Sequence, residues 1–288
     1  MDAFPRQDRD GAWLAPAKLN LMLRVLGRRA DGYHRLQTVF QFLDRCDRLY
    51  VEGRHDDRIE RAAGPAGVPP DQDLVVRAAV ALRCASGSAL GATIRVDKRL
   101  PMGGGLGGGS SDAATALHAL NQLWQLGLSN AELAAIGLQL GADVPVFVRG
   151  EAAWAEGVGE TLTAVELAMP WYLVLVPPCH VSTAVVFGHP RLTRDSAPIR
   201  LGDFLRGDAR NDCLATVLAA FPVVKAAYDW LAEHAEARLT GTGACLFAAM
   251  PSREEAVRLA EMVPLGVSAF VARGCNRSPL FAGPHSTG

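Results

Sequence analysis

Apolar positions recur in this chain with a period of two in some stretches and with helical spacing in others. Alternation marks residues 17–26 and 36–43 as strands, with a turn at Asp31-Gly32 between them. Residues 48–61 are polar and β-like, and a loose Gly/Pro stretch follows at 64–70. Asp73 stands where it can cap a helix running to about Cys84, and Ala92 to Val96 alternates as a strand. From Ser110, apolar residues at Ala113, Ala116, Leu117, Leu120, Leu123 and Trp124 have helical spacing. Ser129-Asn130-Ala131-Glu132 predicts a capping box for a second helix, with Gly141 in the place of its C-terminal cap. Val144 to Val148 reads as a short strand, and 150–170 as a hairpin with a connection, the best candidate for a domain boundary.

Beyond that boundary, Trp171 to Val176 predicts a buried strand, and helical patterns follow near 211–220 and 223–235. Leu239 to Met250 reads as strand, glycine turn, strand. Ser252 caps a further helix, 267–273 is a last strand, and the tail from Ser278 is expected to be loose. Strands and helices mix without strict βα alternation, which predicts an α+β fold. The 288 residues exceed one ordinary domain, so two are expected, at 1–160 and 161–288.

Composition narrows the partners. The net charge is −1, which provides no long-range field for nucleic acid or an anionic membrane. The N-terminus lacks the apolar core of a signal peptide, and the longest apolar run, Met169 to Pro178, is too short to span a bilayer. A cytoplasmic protein acting on a small molecule is expected. Six cysteines at spacings that suit neither zinc nor a disulfide framework read as reduced, mostly buried thiols. Among 29 Lys and Arg residues, only Lys18, Lys98 and Lys225 are lysines.

The strongest chemical signal is the run Pro101-Met102-Gly103-Gly104-Gly105-Leu106-Gly107-Gly108-Gly109-Ser110-Ser111. Six glycines in eleven positions are too costly in chain entropy to be a packing device, and are expected in a solvent-facing loop. They let successive N–H groups point into one concavity, which the helix that follows completes with its own N-terminal N–H groups. That is a phosphate cradle. No Gly is followed by Lys, so the G-x-x-x-x-G-K-[ST] loop is absent. Gly103, Gly105 and Gly108 satisfy G-x-G-x-x-G only because the run is so glycine-rich, and a helix stands where a dinucleotide fold needs its next strand. Lys18, in an apolar strand, is either a surface lysine or a cation aimed into a cleft. Asp143, in Gly141-Ala142-Asp143-Val144-Pro145, is either an Asx turn or a carboxylate for an attacking hydroxyl. The turn Leu239-Thr240-Gly241-Thr242-Gly243-Ala244-Cys245 is equally a plain hairpin and a backbone wall at the site.

The 101–111 run resembles the ATP loop of the GHMP kinases, the superfamily of galactokinase, homoserine kinase, mevalonate kinase and phosphomevalonate kinase. Pro16 to Leu21, Arg29 to His34, Gly141 to Phe147 and Leu239 to Ala244 are similar, in order, to the family within it that phosphorylates diphosphocytidyl-methylerythritol. The resemblance implies two α+β domains with the site in the cleft between them, and ATP with Mg²⁺. It implies Asp143 as base, Lys18 as catalytic lysine, and Asn20 and Thr183 on the methylerythritol. Tyr33, His34 and Phe187 would hold the cytidine, with Tyr33 and Phe187 on opposite faces of the base. No role is implied for Asp112. Kinases of homoserine or mevalonate have no need of a cytidine pocket, and a non-catalytic nucleotide-binding module has no need of the Lys18/Asp143 pair.

Overall fold

The computed structural model describes residues 4–30 and 32–281. Asp31 of the expected turn and the tail beyond Phe281 lie outside these residues; the other turn residue, Gly32, has φ +89°.

The chain opens with two long antiparallel strands, β1 (Trp13–Arg28) and β2 (His34–Arg54), followed by β3 (Ile59–Ala63). Helix α1 (Leu74–Ser86) starts as expected at Asp73, whose carboxylate accepts from the N–H of Val75. Then come β4 (Gly91–Asp97), α2 (Gly108–Leu123) and α3 (Asn130–Leu138), the last with the Ser129/Glu132 capping box in place. Helix α3 ends at Gln139 rather than at Gly141.

Residues 144–149 form helix α4 (Val144–Arg149), not the expected strand. A run of apolar residues this short carries no periodicity to separate buried strand from buried helix. Pro145 settles it locally, because its fixed φ suits a first helical turn, and Gly150 closes the helix at φ +70°. Val144 to Val148 are all buried. The hairpin β5 (Ala153–Glu156) and β6 (Thr161–Ala164) follows.

Then β7 (Trp171–Val176) leads to two short helices without a sequence signal, α5 (Thr183–Gly188) and α6 (Leu201–Leu205). The rest is α7 (Leu214–Ala220), α8 (Pro222–Ala232), β8 (Arg238–Leu239), β9 (Leu246–Met250), α9 (Arg253–Ala260) and β10 (Ser268–Cys275). Where looseness was expected from Ser278, a 3-10 turn (Pro279–Phe281) buries Leu280 and Phe281 against the core under β1 and β2. Apolar burial favours this, since a single buried Leu or Phe contributes roughly 1.5–3 kcal/mol.

Strands of both halves join one sheet in the order β3-β4-β2-β10-β7-β9-β8, with β1 and β5 also on β2. Its continuity depends on β10, which pairs Gly274 and Cys275 with Leu43 and Phe42 of β2, and Ser268 to Arg273 with β7. One core lies beneath α1 to α4, a second under α7 to α9, and a third where β1 meets β7, β9 and β10. All six cysteines are free; only Cys213 and Cys245 are buried, and Cys84 is exposed, so the expectation of mostly buried thiols does not hold. Lys225 is on the surface, paired with Asp229 one turn on. Among the described residues no helix is long and apolar enough to cross a membrane.

Candidate active site

Strand β1 is bulged between Pro16 and Lys18 and again between Asn20 and Met22. Bulges of this kind re-aim side chains at the edge of a site. Lys18 and Asn20, two apart, share one face, while Ala17, Leu19 and Leu21 go to the interior core. Lys18 is 2% exposed, which removes the surface-lysine alternative. Its ammonium donates to Asn20 Oδ1 and to the Gly105 carbonyl at 3.1 Å, and Asp143 Oδ2 lies 3.2 Å away as its ion-pair partner. Asp143 stands at the start of α4, yet its side chain makes no capping bond and is left to face Lys18. The other end of the Asn20 amide donates to Thr38 Oγ1 at 2.8 Å, so its orientation is fixed from both sides.

The glycine run lies over this group. Helix α2 begins at Gly108, two residues earlier than expected, with Gly107 at φ +73° before it. The N–H groups of its first turn are free of helical partners until Ser111, which donates to the Gly107 carbonyl at 2.8 Å. Unpartnered N–H groups at a helix start are suited to an anion. The loop is not solvent-facing throughout, as expected, because Leu106 is fully buried and its carbonyl accepts from the Lys18 N–H. Nor are the glycines free of packing duty. A Cβ on Gly105 would lie 2.3 Å from the Thr240 carbonyl, and one on Gly107 2.7 Å from Phe147 and 3.1 Å from Lys18. We therefore expect Gly107→Val to destabilise the fold by about 2–6 kcal/mol, the sum of a forced left-handed backbone and overpacking. Gly109→Ala, whose Cβ meets only Leu74 at 3.4 Å, should stay folded. Melting curves decide, and a Gly107→Val melting point within about 2 °C of wild type would refute this packing.

The turn between β8 and β9 proves to be a wall of the site. Thr240 Oγ1 accepts from the Asn20 N–H and donates to the Gly105 carbonyl, and Cys245 N–H donates to the Gly104 carbonyl. Thr242 Oγ1 lies 3.0 Å from Thr183 Oγ1 at the start of α5. Thus Asn20 and Thr183, from opposite halves of the chain, approach one another through this turn.

Together these parts line a cleft of about 1020 Å³. Lys18, Asn20, Asp143, Thr183, Tyr33, His34, Phe187 and every loop residue from Pro101 to Ser110 border it. Ser111 does not; it is fully buried beneath the loop. Tyr33 is 63% exposed at the mouth. His34 stacks on Phe187 with centroids 4.9 Å apart and planes at 22°. Burial first, then the charges of Arg194 and Arg28, push the His34 imidazole below its ordinary pKa.

Sequence reasoning passed over the group under the loop. Lys98 pairs with both Asp47 and Asp112, and all three are largely buried. Asp47 also accepts from the N–H of Leu100, fixing the segment that leads from β4 into the loop. Burial, with the Asp47 charge added, pushes the Asp112 carboxyl up to about 7, while the same two carboxylates hold Lys98 charged. One lysine thus serves two buried carboxylates. The scarcity of lysine in the chain was the signal for Lys98, but its partners are 51 and 14 residues away and no local pattern joins them.

A glycine loop at a helix start, a buried lysine paired with a half-exposed carboxylate, and a cleft between two α+β halves suit a small-molecule kinase of the GHMP type. The sequence matches the GHMP kinases N terminal domain over residues 73–151 and the GHMP kinases C terminal region over 194–266. A Pseudomonas aeruginosa (strain LESB58) protein named 4-diphosphocytidyl-2-C-methyl-D-erythritol kinase is 56% identical over 266 residues, covering 92% of this chain and 94% of its own. One of that name from Halorhodospira halophila is 55% identical, covering 93% and 94%. A crystal structure of 4-(cytidine 5'-diphospho)-2C-methyl-D-erythritol kinase superposes with a TM-score of 0.78 at 34% identity, covering 91% of this chain and 98% of its own. The chain belongs to the 4-diphosphocytidyl-2-C-methyl-D-erythritol kinase family of the GHMP kinases. It is an ATP-dependent small-molecule kinase with the two-part α+β fold of that superfamily.

Proposed function

We propose that this kinase transfers the γ-phosphoryl group of ATP to the 2-hydroxyl of 4-diphosphocytidyl-2-C-methyl-D-erythritol, a step of the non-mevalonate supply of isoprenoid precursors. The observation that carries the reading is the Lys18–Asp143 pair at 3.2 Å, beneath the glycine loop and in the same cleft as Tyr33, His34 and Phe187. On this reading the loop N–H groups and the start of α2 hold the ATP phosphates. Asn20 and Thr183 hold the methylerythritol, and Tyr33, His34 and Phe187 hold the cytidine. Asp143 accepts the hydroxyl proton as the oxygen attacks the γ-phosphorus, and the bond to the β,γ-bridging oxygen breaks to release ADP. Lys18 stabilises the charge that spreads over the transferring group.

Mg²⁺ is part of the proposal. Among the described residues no three His, Cys, Asp or Glu side chains cluster as a cage. The Asp143 carboxylate and the Ser110 hydroxyl line the cleft as hard oxygen donors, which suits an ion that arrives on nucleotide phosphates and keeps much of its water. Bound there, it neutralises phosphate charge. The reading also makes this a cytoplasmic enzyme, supported by its six free cysteines. It divides the chain at 160/161, with β6 and the residues after Arg273 crossing back to the N-terminal half.

The test is ADP release with Mg-ATP across four alcohols. We expect turnover with the cytidyl substrate and background rates with homoserine, mevalonate and galactose. Turnover with one of those three and none with the cytidyl substrate would overturn the assignment.

A further inference from the structure

Arg194 lies in the segment after α5 and carries no role in the reaction as described so far. All three of its guanidinium nitrogens are engaged. Nη2 donates to the carbonyls of Phe187 at 2.7 Å and His189 at 2.8 Å, at the C-terminal end of α5. Nη1 donates to the Leu192 carbonyl at 3.2 Å. Nε donates to His34 Nε2 at 3.3 Å, across to the first residue of β2. One side chain therefore ties down the backbone that carries Phe187 and, with its remaining donor, the ring stacked on Phe187.

Chemistry fixes what this does to His34. A guanidinium has donors only, so Nε2 of the imidazole must accept and the proton of the neutral ring must be on Nδ1. A second cation, Arg28, and the partial burial of the ring act in the same direction, towards the uncharged form. The strength of Arg over Lys here is geometric, because a planar fork can serve several fixed acceptors where an ammonium cannot.

We propose that Arg194 is a positioning residue for the cytidyl end of the cleft: it holds Phe187 and His34 against each other and sets His34 as the neutral Nδ1–H tautomer, so that this end is formed before substrate arrives. The proposal rests on the assignment of Tyr33, His34 and Phe187 to cytidine.

The experiment compares Arg194→Gln and Arg194→Lys with Tyr33→Ala, measuring KM for the cytidyl substrate, KM for ATP, kcat, melting temperature and the His34 titration by NMR in the ligand-free protein. Arg194→Gln should raise KM for the cytidyl substrate about 10-fold, the scale of losing hydrogen bonds from a charged donor. KM for ATP should stay within about 2-fold, and the His34 titration should move to higher pH as a neighbouring cation is lost. Arg194→Lys should keep much of the titration shift yet still raise the cytidyl KM, since charge survives and the fork does not. A bracing role in the fold alone would lower the melting temperature and leave the His34 titration unmoved. A selective cytidyl defect in Tyr33→Ala with none in Arg194→Gln would overturn the clamp and keep the cytidine site. An unselective Tyr33→Ala would overturn the cytidine site itself and the proposal with it, while the His34 titration still reports whether the contact exists.

Discussion

Lys18→Met will lower kcat by about 10³-fold or more and leave a folded protein. The size follows from what the ammonium does, since a single well-placed cation on a transferring phosphoryl group contributes about 10³–10⁵ in rate. No other lysine can replace it. Lys98 borders the same cleft, but Asp47 and Asp112 already hold its charge. Survival of the fold follows from how the abandoned partners fare. The Gly105 carbonyl still accepts from Thr240 Oγ1, and Asp143, whose side chain is 36% exposed, turns to water. Asn20 Oδ1 is the one buried atom stranded, at a cost of about 1–3 kcal/mol. Methionine fills the aliphatic path of the lysine, whose ammonium lies 5.3 Å from the Phe40 ring. Steady-state kinetics and a melting curve check both halves of the claim. Turnover within about tenfold of wild type would remove Lys18 from the chemistry, because no charge-stabilising role is so small.

Asp143→Asn removes charge and basicity at nearly constant shape. We expect kcat to fall by about 10²–10⁴-fold, the usual range for a general base. KM for ATP should change little, because the loop N–H groups and the start of α2 are untouched. Stability should change little too. The side chain makes no capping bond to α4, so the helix start does not depend on its charge, and Pro145 still favours the first turn. The amide loses its attraction for Lys18, which keeps its bonds to Asn20 and Gly105. A mutant that turns over like wild type would show that Asp143 neither accepts the proton nor orients the hydroxyl.

Much of this site could be read before any coordinates. Local signals succeeded where local chemistry rules, as in the Ser129 capping box, the Asp73 cap and the glycine turn that opens α2. They failed at 144–148, where five buried apolar residues look alike as strand or helix and only Pro145 and Gly150 mark the answer. They failed again at Ser278, because nothing in Pro279-Leu280-Phe281 says that its acceptor surface lies under strands more than 200 residues earlier. Residue roles followed the same division. Lys18 and Asp143 were left open by residue type and setting, and took their expected roles from the family resemblance. The Lys98 group joins positions 14 and 51 residues apart, and Arg194 reaches His34 across 160 residues, so only the fold brings them together. The stack of His34 on Phe187 was not legible for a related reason: the two rings come from opposite halves of the chain, and no local pattern pairs them.

The position of β10 has a consequence for how the chain must be made. The strand beside β2 in the finished sheet is drawn from residues 274–275, and the 3-10 turn after it supplies Leu280 and Phe281 to the first core. Ala152 N–H donates to the Asn276 carbonyl, and Ser278 N–H to that of Gly150, at the segment that closes α4. During synthesis, then, the half that carries Lys18, the phosphate loop and Asp143 emerges first and cannot be completed. Its sheet lacks a neighbour and its core lacks two large side chains until almost the whole chain exists. Domain-by-domain folding from the N-terminus, the common route for chains of this length, leaves an open strand edge here, and that edge is closed by the strand pairing most distant in sequence.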